Sequence, residues 1–242
     1  MANSKTSLPK LDIQSLPGPE SILRRELANG IVVLVRENFA SPSVVFSGFI
    51  PGGSLGEPID KAGQADLAVS ALMRGTHNRD FQAIYESIES IGANLALGTG
   101  KHTTSFFGKG LAEDLDQLLE LLSDVLRFPA FPDEQIERLK AEKLTRLALR
   151  DQNTGAMAQL AFNDLAYSDH PYRIPTDGFS DSVRSATIKD LKEYHRTLIG
   201  PQGMVIAVVG AVQSKKVIKV LEDLFCGWEN SYQRPLELIT SR

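Results

Sequence analysis

Histidine, the side chain that most often binds metals or transfers protons, is sparse in this sequence and poorly spaced for either task. The four histidines are His77, His102, His170 and His195. No two of them lie three or four residues apart, the spacing that would place two imidazoles on one helical face to share a metal ion. His170 beside Asp169 is the closest to a ligand pair, but it lies in a loop bounded by proline, and a surface turn is the simpler interpretation. The histidines therefore predict no metal site.

Other reactive residue types give no stronger signal. Cys226 is the only cysteine, which excludes an internal disulfide and a thiolate metal cluster, and we interpret it as apolar packing. Ser70 has no histidine near it in sequence, so a serine nucleophile is not supported. Gly98 and Gly100 lack the Gly-Lys-Ser/Thr sequence and following helix of a phosphate loop. The acidic clusters lie on polar helical faces and are interpreted as solvated surface; they are Glu86/Glu89, Glu113/Asp114/Asp116 and Glu134/Glu137.

The composition is that of a soluble globular protein. The chain has 242 residues, of which 42% are hydrophobic and 23% charged, enough for one large domain or two small ones. The net charge of -4, with both signs interspersed, predicts neither a nucleic-acid partner nor a membrane partner. No window approaches the roughly 18 apolar residues needed to span a bilayer, and residues 1–19 lack the apolar core of a secretory signal. We expect a cytoplasmic location, with a periplasmic one as the alternative if a leader has been removed.

Groups of strands and groups of helices are predicted along the chain. Ala28-Asn29-Gly30 separates two extended runs, Ile22–Leu27 and Ile31–Arg36, and predicts a hairpin because Asn and Gly both tolerate positive φ. Ala65–Met73, rich in small and apolar residues, predicts a buried helix. The other predicted elements are strands at Ser43–Ile50, Asn94–Leu97, His102–Lys109 and Met204–Val209 and helices after Asp80, from Leu111 to Leu126, from Asp133 to Gln152, from Gly155 to Tyr167, from Thr187 to Leu198 and from Ser214 to Leu224.

The order of these elements predicts the fold class. Strands, helices, strands, helices, a strand and a helix follow one another without the strict alternation of a doubly wound sheet, so the class is α+β. The run Met204–Val209 is apolar at every position, which is typical of a strand covered on both faces.

Three stretches, in this order and spacing, resemble the N-terminal half of the insulinase/pitrilysin family of zinc peptidases, in particular its mitochondrial processing peptidase branch. The resemblance covers about residues 21–230. The first stretch contains Glu26–Gly30, Gly52-Gly53-Ser54, Gly63 and Met73-Arg74-Gly75-Thr76; the second is Glu86–Leu95; the third contains Pro171–Pro175, Asp190–His195 and the strand Val205–Gly210 with its helix.

The resemblance implies an architecture and domain limits. The fold would be a metallopeptidase half-subunit of the LuxS/processing-peptidase type, with a mixed, largely antiparallel sheet and helices packed on one face. Residues 21–230 would form this half-subunit domain. Residues 1–20 are then predicted to be an N-terminal arm, and residues 231–242 a linker toward a second half.

The zinc motif of the family is missing from the corresponding helix. Active members carry His-x-x-Glu-His, in which two histidines share the metal and the glutamate acts on the zinc-bound water. The resemblance places Asp66 at the first histidine, Val69 at the glutamate and Ser70 at the second histidine. The third ligand falls at about Arg146, whose fixed positive charge opposes a cation. We therefore expect neither zinc nor catalysis by this chain alone.

The resemblance also implies a substrate-binding element. In the family, peptide adds to an edge strand that corresponds here to residues 94–99, so Asn94, Leu95, Ala96 and Leu97 are the candidate substrate-binding residues. Such pairing uses the backbone and depends little on side-chain identity. Active relatives carry a more polar version of this strand, and a plain core strand is the alternative interpretation.

Three functional hypotheses follow. The first is a non-catalytic subunit or half of a processing-peptidase-like assembly, contributing chamber wall, substrate presentation or dimerisation to a partner subunit of the same family that bears the zinc motif, or acting by self-association. The second is a structural assembly protein, like the core subunits of respiratory complexes, without a peptidase role. The third is a zinc-dependent endopeptidase with displaced ligands.

Overall fold

The computed structural model describes residues 18–234. Residues 1–17 of the predicted arm and residues 235–242 of the predicted linker lie outside the described residues, so these two assignments remain predictions. Within the described part, residues 231–234 contact the domain: the Arg234 N–H donates to the Thr197 carbonyl at 2.8 Å, and the Arg196 guanidinium stacks over the Tyr232 ring.

Six strands form one sheet. They are β1 (Leu23–Glu26), β2 (Val32–Glu37), β3 (Ser43–Pro51), β4 (Asn94–Thr99), β5 (Thr103–Leu111) and β6 (Val205–Gly210). Their spatial order is β1-β2-β6-β3-β5-β4, and only the β2–β6 pair is parallel. The predicted mixed, largely antiparallel sheet is confirmed, and β4 lies at one edge of it.

Eight α-helices accompany the sheet in the described part of the chain. They are α1 (Gln64–Ala71), α2 (Phe81–Glu89), α3 (Leu115–Arg127), α4 (Asp133–Gln152), α5 (Thr154–Ala166), α6 (Ser180–Ser185), α7 (Ile188–Leu198) and α8 (Ser214–Phe225). Among them, none combines the length and the apolar composition needed to cross a lipid bilayer. The short helix α6 was not predicted from the sequence, since six residues give little periodic signal.

The helices cover one face of the sheet. On β3, Val44, Phe46 and Ile50 are buried in the core, whereas Ser47 and Phe49 on the other face are exposed. The prediction that the apolar strand Met204–Val209 is covered on both faces is wrong. Ile206 and Val208 are buried on the helical side, but Val209 on the open face is 37% exposed. A central position in the sheet accounts for the apolar run, because neighbouring strands partly shield that face.

Local signals account for most element ends. Asp80 caps α2 by accepting the Ala83 N–H at 2.8 Å, and Thr187 and Asp190 form a capping box at the start of α7. The predicted start of the third helix at Leu111 is wrong, because β5 continues through Leu111 in register with Ser43. Helix α3 therefore begins at Leu115, and Leu111 is left 43% exposed.

The predicted hairpin is present, with a different turn geometry. Gly30 has a φ of 87°, but Asn29 keeps a negative φ. The Asn29 side-chain amide instead donates to the carbonyl of Phe225 at 3.0 Å and to that of Trp228 at 3.3 Å. The asparagine thus fastens the β1–β2 turn to the end of α8.

Candidate functional site

A groove of about 660 Å³ lies between α1, α4 and the edge strand β4, and we call it the Ser70 groove. Its wall is apolar on the strand side and charged on the side of α4. The lining residues are Ser70, Met73, Arg74, Tyr85, Leu95, Ala96, Leu97, Leu139, Glu142, Thr145 and Arg146.

The start of helix α1 is held by a half-buried carboxylate, and this fixes Ser70 further along the helix. Glu57 accepts the Gly63 N–H at 3.1 Å with one oxygen and the Ala65 N–H with the other. Burial raises the pKa of Glu57 to about 7, although the two N–H donors act in the opposite direction. Gly63 has a φ of 89°, and a Cβ there would meet the Asp177 carbonyl at 2.8 Å. Only glycine therefore allows this entry into α1.

One turn before Ser70, an ion pair joins α1 to α4. The Lys143 ammonium donates to the Asp66 carboxylate; the Lys143 side chain is 4% exposed and that of Asp66 is 26% exposed. Burial lowers the pKa of Lys143, and the neighbouring Asp66 charge acts in the opposite direction. The only carboxylate at the positions of the family motif is therefore already engaged by a cation.

The charged side of the groove contains a second ion pair and an unpaired cation. Arg74 donates to both oxygens of Glu142, at 3.2 and 2.6 Å, and its guanidinium lies over the Phe81 ring. Arg146 is exposed on α4 and has no ion-pair or hydrogen-bond partner within residues 18–234. The Ser70 hydroxyl likewise has no partner in that range.

These residues do not fit a zinc ion. A zinc site needs three or four His, Cys, Asp or Glu donors, and the groove offers Ser70, Glu142 bound to Arg74, and Arg146. In the described part of the chain, no three side chains of the ligating types converge on one point. The arrangement is instead suited to binding through backbone groups of β4, apolar side chains and a guanidinium.

The structure brings together some of the predicted site residues but not all. Ser70 and Arg146, predicted to be vacated zinc positions, line the groove with Leu95, Ala96 and Leu97 of the predicted substrate-binding strand. Three predicted residues do not line it. Val69 is buried in the core, Asp66 points to Lys143, and Asn94 is exposed at the start of β4.

Lys143, the partner of Asp66 in the ion pair, was not singled out from the sequence. It follows Leu139 by four residues and precedes Leu147 by four, and both of those are buried. A lysine in the apolar stripe of a helix predicts a buried partner, and this signal was available from the sequence. The identity of the partner was not, because Asp66 lies 77 residues away in the chain.

A second cavity, of about 460 Å³, lies near the start of α1 and includes Glu57, Lys101 and Tyr194 in its wall. These three side chains form hydrogen bonds within the protein. Glu57 caps α1, and the Lys101 ammonium donates to the Ile174 carbonyl. The Tyr194 hydroxyl is 3.3 Å from the Thr104 hydroxyl, and burial raises the pKa of Tyr194. We therefore take the Ser70 groove as the candidate site.

Comparison of the sequence with models of known protein families shows which family this chain belongs to. The sequence model of the insulinase family, peptidase family M16, matches residues 32–178, and that of the peptidase M16 inactive domain matches residues 185–241. This chain belongs to peptidase family M16. The resemblance seen in the sequence is thereby confirmed.

Individual M16 relatives are about a quarter identical to this chain. A probable mitochondrial-processing peptidase subunit beta of Arabidopsis thaliana is 28% identical over 199 residues, which cover 82% of this chain and 38% of that protein. The cytochrome b-c1 complex subunit 1 of Bos taurus is 27% identical over 223 residues, covering 91% of this chain and 45% of that protein. The chain thus spans less than half the length of either relative.

A solved structure agrees with the fold. The peptidase M16 inactive domain from Pseudomonas fluorescens superposes with a TM-score of 0.81 at 24% identity, covering 89% of this chain and 53% of that one. At this level of identity the similarity establishes the M16 fold. It confirms the predicted α+β class.

Proposed function

We propose that this chain is a non-catalytic subunit or half of a processing-peptidase-like assembly. It would contribute chamber wall, substrate presentation or dimerisation to a partner that carries the zinc motif. The observation that carries the proposal is the Lys143–Asp66 ion pair, which occupies the only carboxylate of the vacated motif. Val69 and Ser70 offer no metal ligand there, and Arg146 adds a positive charge, so zinc is not expected to bind.

The M16 relatives support a partnered role. One is named as the beta subunit of a processing peptidase, and another as a subunit of the cytochrome b-c1 complex. The second name favours an alternative, in which this chain is a structural assembly protein without a peptidase role. In both cases the Ser70 groove would be free of metal chemistry, and the difference lies in whether the chain affects peptide cleavage.

Co-expression tests the proposal. The chain is produced with an M16 protein of the same genome that bears His-x-x-Glu-His, and cleavage of a fluorogenic peptide is compared for each protein alone and for the purified pair. We expect no cleavage by this chain alone and faster cleavage by the pair than by the partner alone. Metal analysis of this chain should find zinc well below one equivalent.

Two controls separate the alternatives. Replacement of the partner's motif glutamate by glutamine should abolish cleavage by the pair, which assigns the chemistry to the partner. A stable complex whose cleavage rate equals that of the partner alone would favour the structural assembly protein and refute the proposal. Stoichiometric zinc together with cleavage by this chain alone would show that it is a peptidase with displaced ligands.

A further inference from the structure

Helix α5 is exposed along its whole length. None of its 13 residues, all of which the structure describes, is buried, and those that are half-buried lie on one side: Ala156, Leu160 and Asn163. A helix of this length is marginal in water without packing, even when it is rich in alanine. A surface that covers its other side would therefore stabilise α5, and the described residues do not bury that side.

The outward side of α5 is an apolar stripe. Met157, Ala161 and Leu165 follow one another at four-residue spacing, and Ala158 and Phe162 lie beside them on the same side. All five are exposed. Phe162 is 61% exposed and Leu165 80%, the largest fraction of any large apolar residue in the described part of the chain. We call these five residues the α5 stripe, and a contiguous exposed apolar surface of this kind indicates an interaction site.

The charges around the α5 stripe narrow the choice of partner. Residues 154–166 contain neither lysine nor arginine, the cations with which an amphipathic helix binds an anionic membrane. The one acidic side chain of the helix, Asp164, borders the stripe and pairs with Arg173 at 3.1 Å. Two copies of the stripe can therefore meet without bringing unpaired like charges together.

The order of side chains along the stripe is close to symmetric about Ala161. Met157 and Leu165 lie four residues before it and four residues after it. When two copies of α5 pack antiparallel with Ala161 at the crossing point, Leu165 of each copy lies level with Met157 of the other. The small central side chain lets the helices approach, and the larger ones fill the space at both ends. The stripe is thus self-complementary, as a two-fold interface requires.

We propose that two copies of this chain associate through antiparallel packing of their α5 stripes. A contact limited to about 20 Å of helix stays near the lower limit of about 1,000 Å² that a specific interface buries, so the dimer is weak and reversible. The five stripe residues, all of them described, do not line the Ser70 groove. The inference therefore goes beyond the function proposed above and does not depend on it.

Sedimentation equilibrium of this chain alone tests the inference. Between about 1 and about 300 μM we expect the mass to rise from that of the 26.5 kDa monomer toward twice that value, with a dissociation constant on the order of 10 to 100 μM. Phe162→Asp places a charge in the stripe and should weaken association more than about tenfold. Phe39→Asp changes a side chain of similar exposure, 65%, between β2 and β3 and should leave association unchanged. Circular dichroism verifies that both variants keep the fold.

Disulfide trapping locates the contact without disturbing it. In a Cys226→Ser background, Ala161→Cys should form an intermolecular disulfide on mild oxidation, because facing Cα atoms of closely packed helices come within about 5 Å of each other. Gln159→Cys lies on the opposite side of the same helix and is also exposed, so it serves as the matched control and should stay reduced.

Three results would each overturn the inference. A chain that stays monomeric at every concentration leaves the stripe to another partner, such as a second M16 subunit. Dimerisation that Phe49→Asp abolishes and Phe162→Asp does not affect would place the contact on the open face of the sheet. Equal trapping of Ala161→Cys and Gln159→Cys would show random collision. None of these results bears on peptide cleavage by the co-expressed pair, so the proposed function fails or stands separately.

Discussion

Two carboxylates near helix α1 are each paired with a cation, but their surroundings differ. Asp124 on α3 is 5% exposed and accepts three hydrogen bonds: from Thr76 at 2.8 Å, from Asn78 at 2.6 Å and from Arg79 at 2.7 Å. Asp66 on α1 has a single side-chain partner, Lys143. The first carboxylate organises a loop, whereas the second only neutralises a charge.

The difference shows which polar contacts the fold depends on. The Asp124 cluster fixes the loop after α1, and Thr76 within it also accepts the N–H groups of Asn78 and Arg79. Every member is satisfied, so the cluster specifies one loop conformation. The Lys143–Asp66 pair lacks such a network, and a buried pair of this kind adds little net stability relative to apolar packing. The structural constraint on this region therefore lies beside the vacated motif and not in it.

Removal of Asp124 should have the largest effect. Asp124→Ala leaves the buried Thr76 hydroxyl and the Arg79 guanidinium without their acceptor, and we expect the free energy of unfolding to fall by about 4 kcal/mol. Urea denaturation measures the change. Asp116→Ala, on the same helix but at an exposed ion pair with Lys216, should cost less than about 1 kcal/mol. If the two variants lose similar amounts of unfolding free energy, the buried Asp124 cluster contributes no more to stability than an exposed ion pair.

The Lys143–Asp66 pair should show an intermediate effect that a second substitution cancels. Asp66→Ala leaves the buried Lys143 ammonium unpaired, and the free energy of unfolding should fall by about 2 kcal/mol. The double variant Asp66→Leu/Lys143→Met replaces the pair by apolar groups and should unfold within about 1 kcal/mol of the wild type. If the double variant is as unstable as Asp66→Ala, the pair belongs to a structural network after all.

The smallest effect is expected in the pH dependence of stability. In the folded state, burial lowers the pKa of Lys143 below its ordinary value of 10.5. In the pH range just below 10.5, the unfolded chain therefore binds this proton more firmly than the folded chain does. Because the unfolded state binds more protons in that alkaline window, wild-type stability should rise with pH relative to Lys143→Met. Urea denaturation of both proteins at about pH 8 and about pH 10 measures this difference. If wild type and Lys143→Met differ in their free energy of unfolding by the same amount at both pH values, Lys143 keeps its proton throughout this pH range.

Much of the fold and part of the site could be predicted from local sequence. The Asn29-Gly30 turn, the caps at Asp80 and Thr187, and the long helix from Asp133 to Gln152 follow from short-range preferences and were confirmed. The order and spacing of short stretches indicated the M16 family, although no single stretch was decisive. The residue types at positions 66, 69, 70 and 146 already predicted that zinc would not bind.

Only the tertiary structure decided which side chains meet. Asp66 and Lys143 pair across 77 residues. β4 is an edge strand because it pairs only with β5, whose other side pairs with β3. Strand order, and the closure of α4 over α1, are set by packing of the whole core, which no local window contains. The sequence therefore predicted that zinc would not bind, because of the residue types at four positions, and the fold determined that Ser70, Arg146 and β4 share one groove.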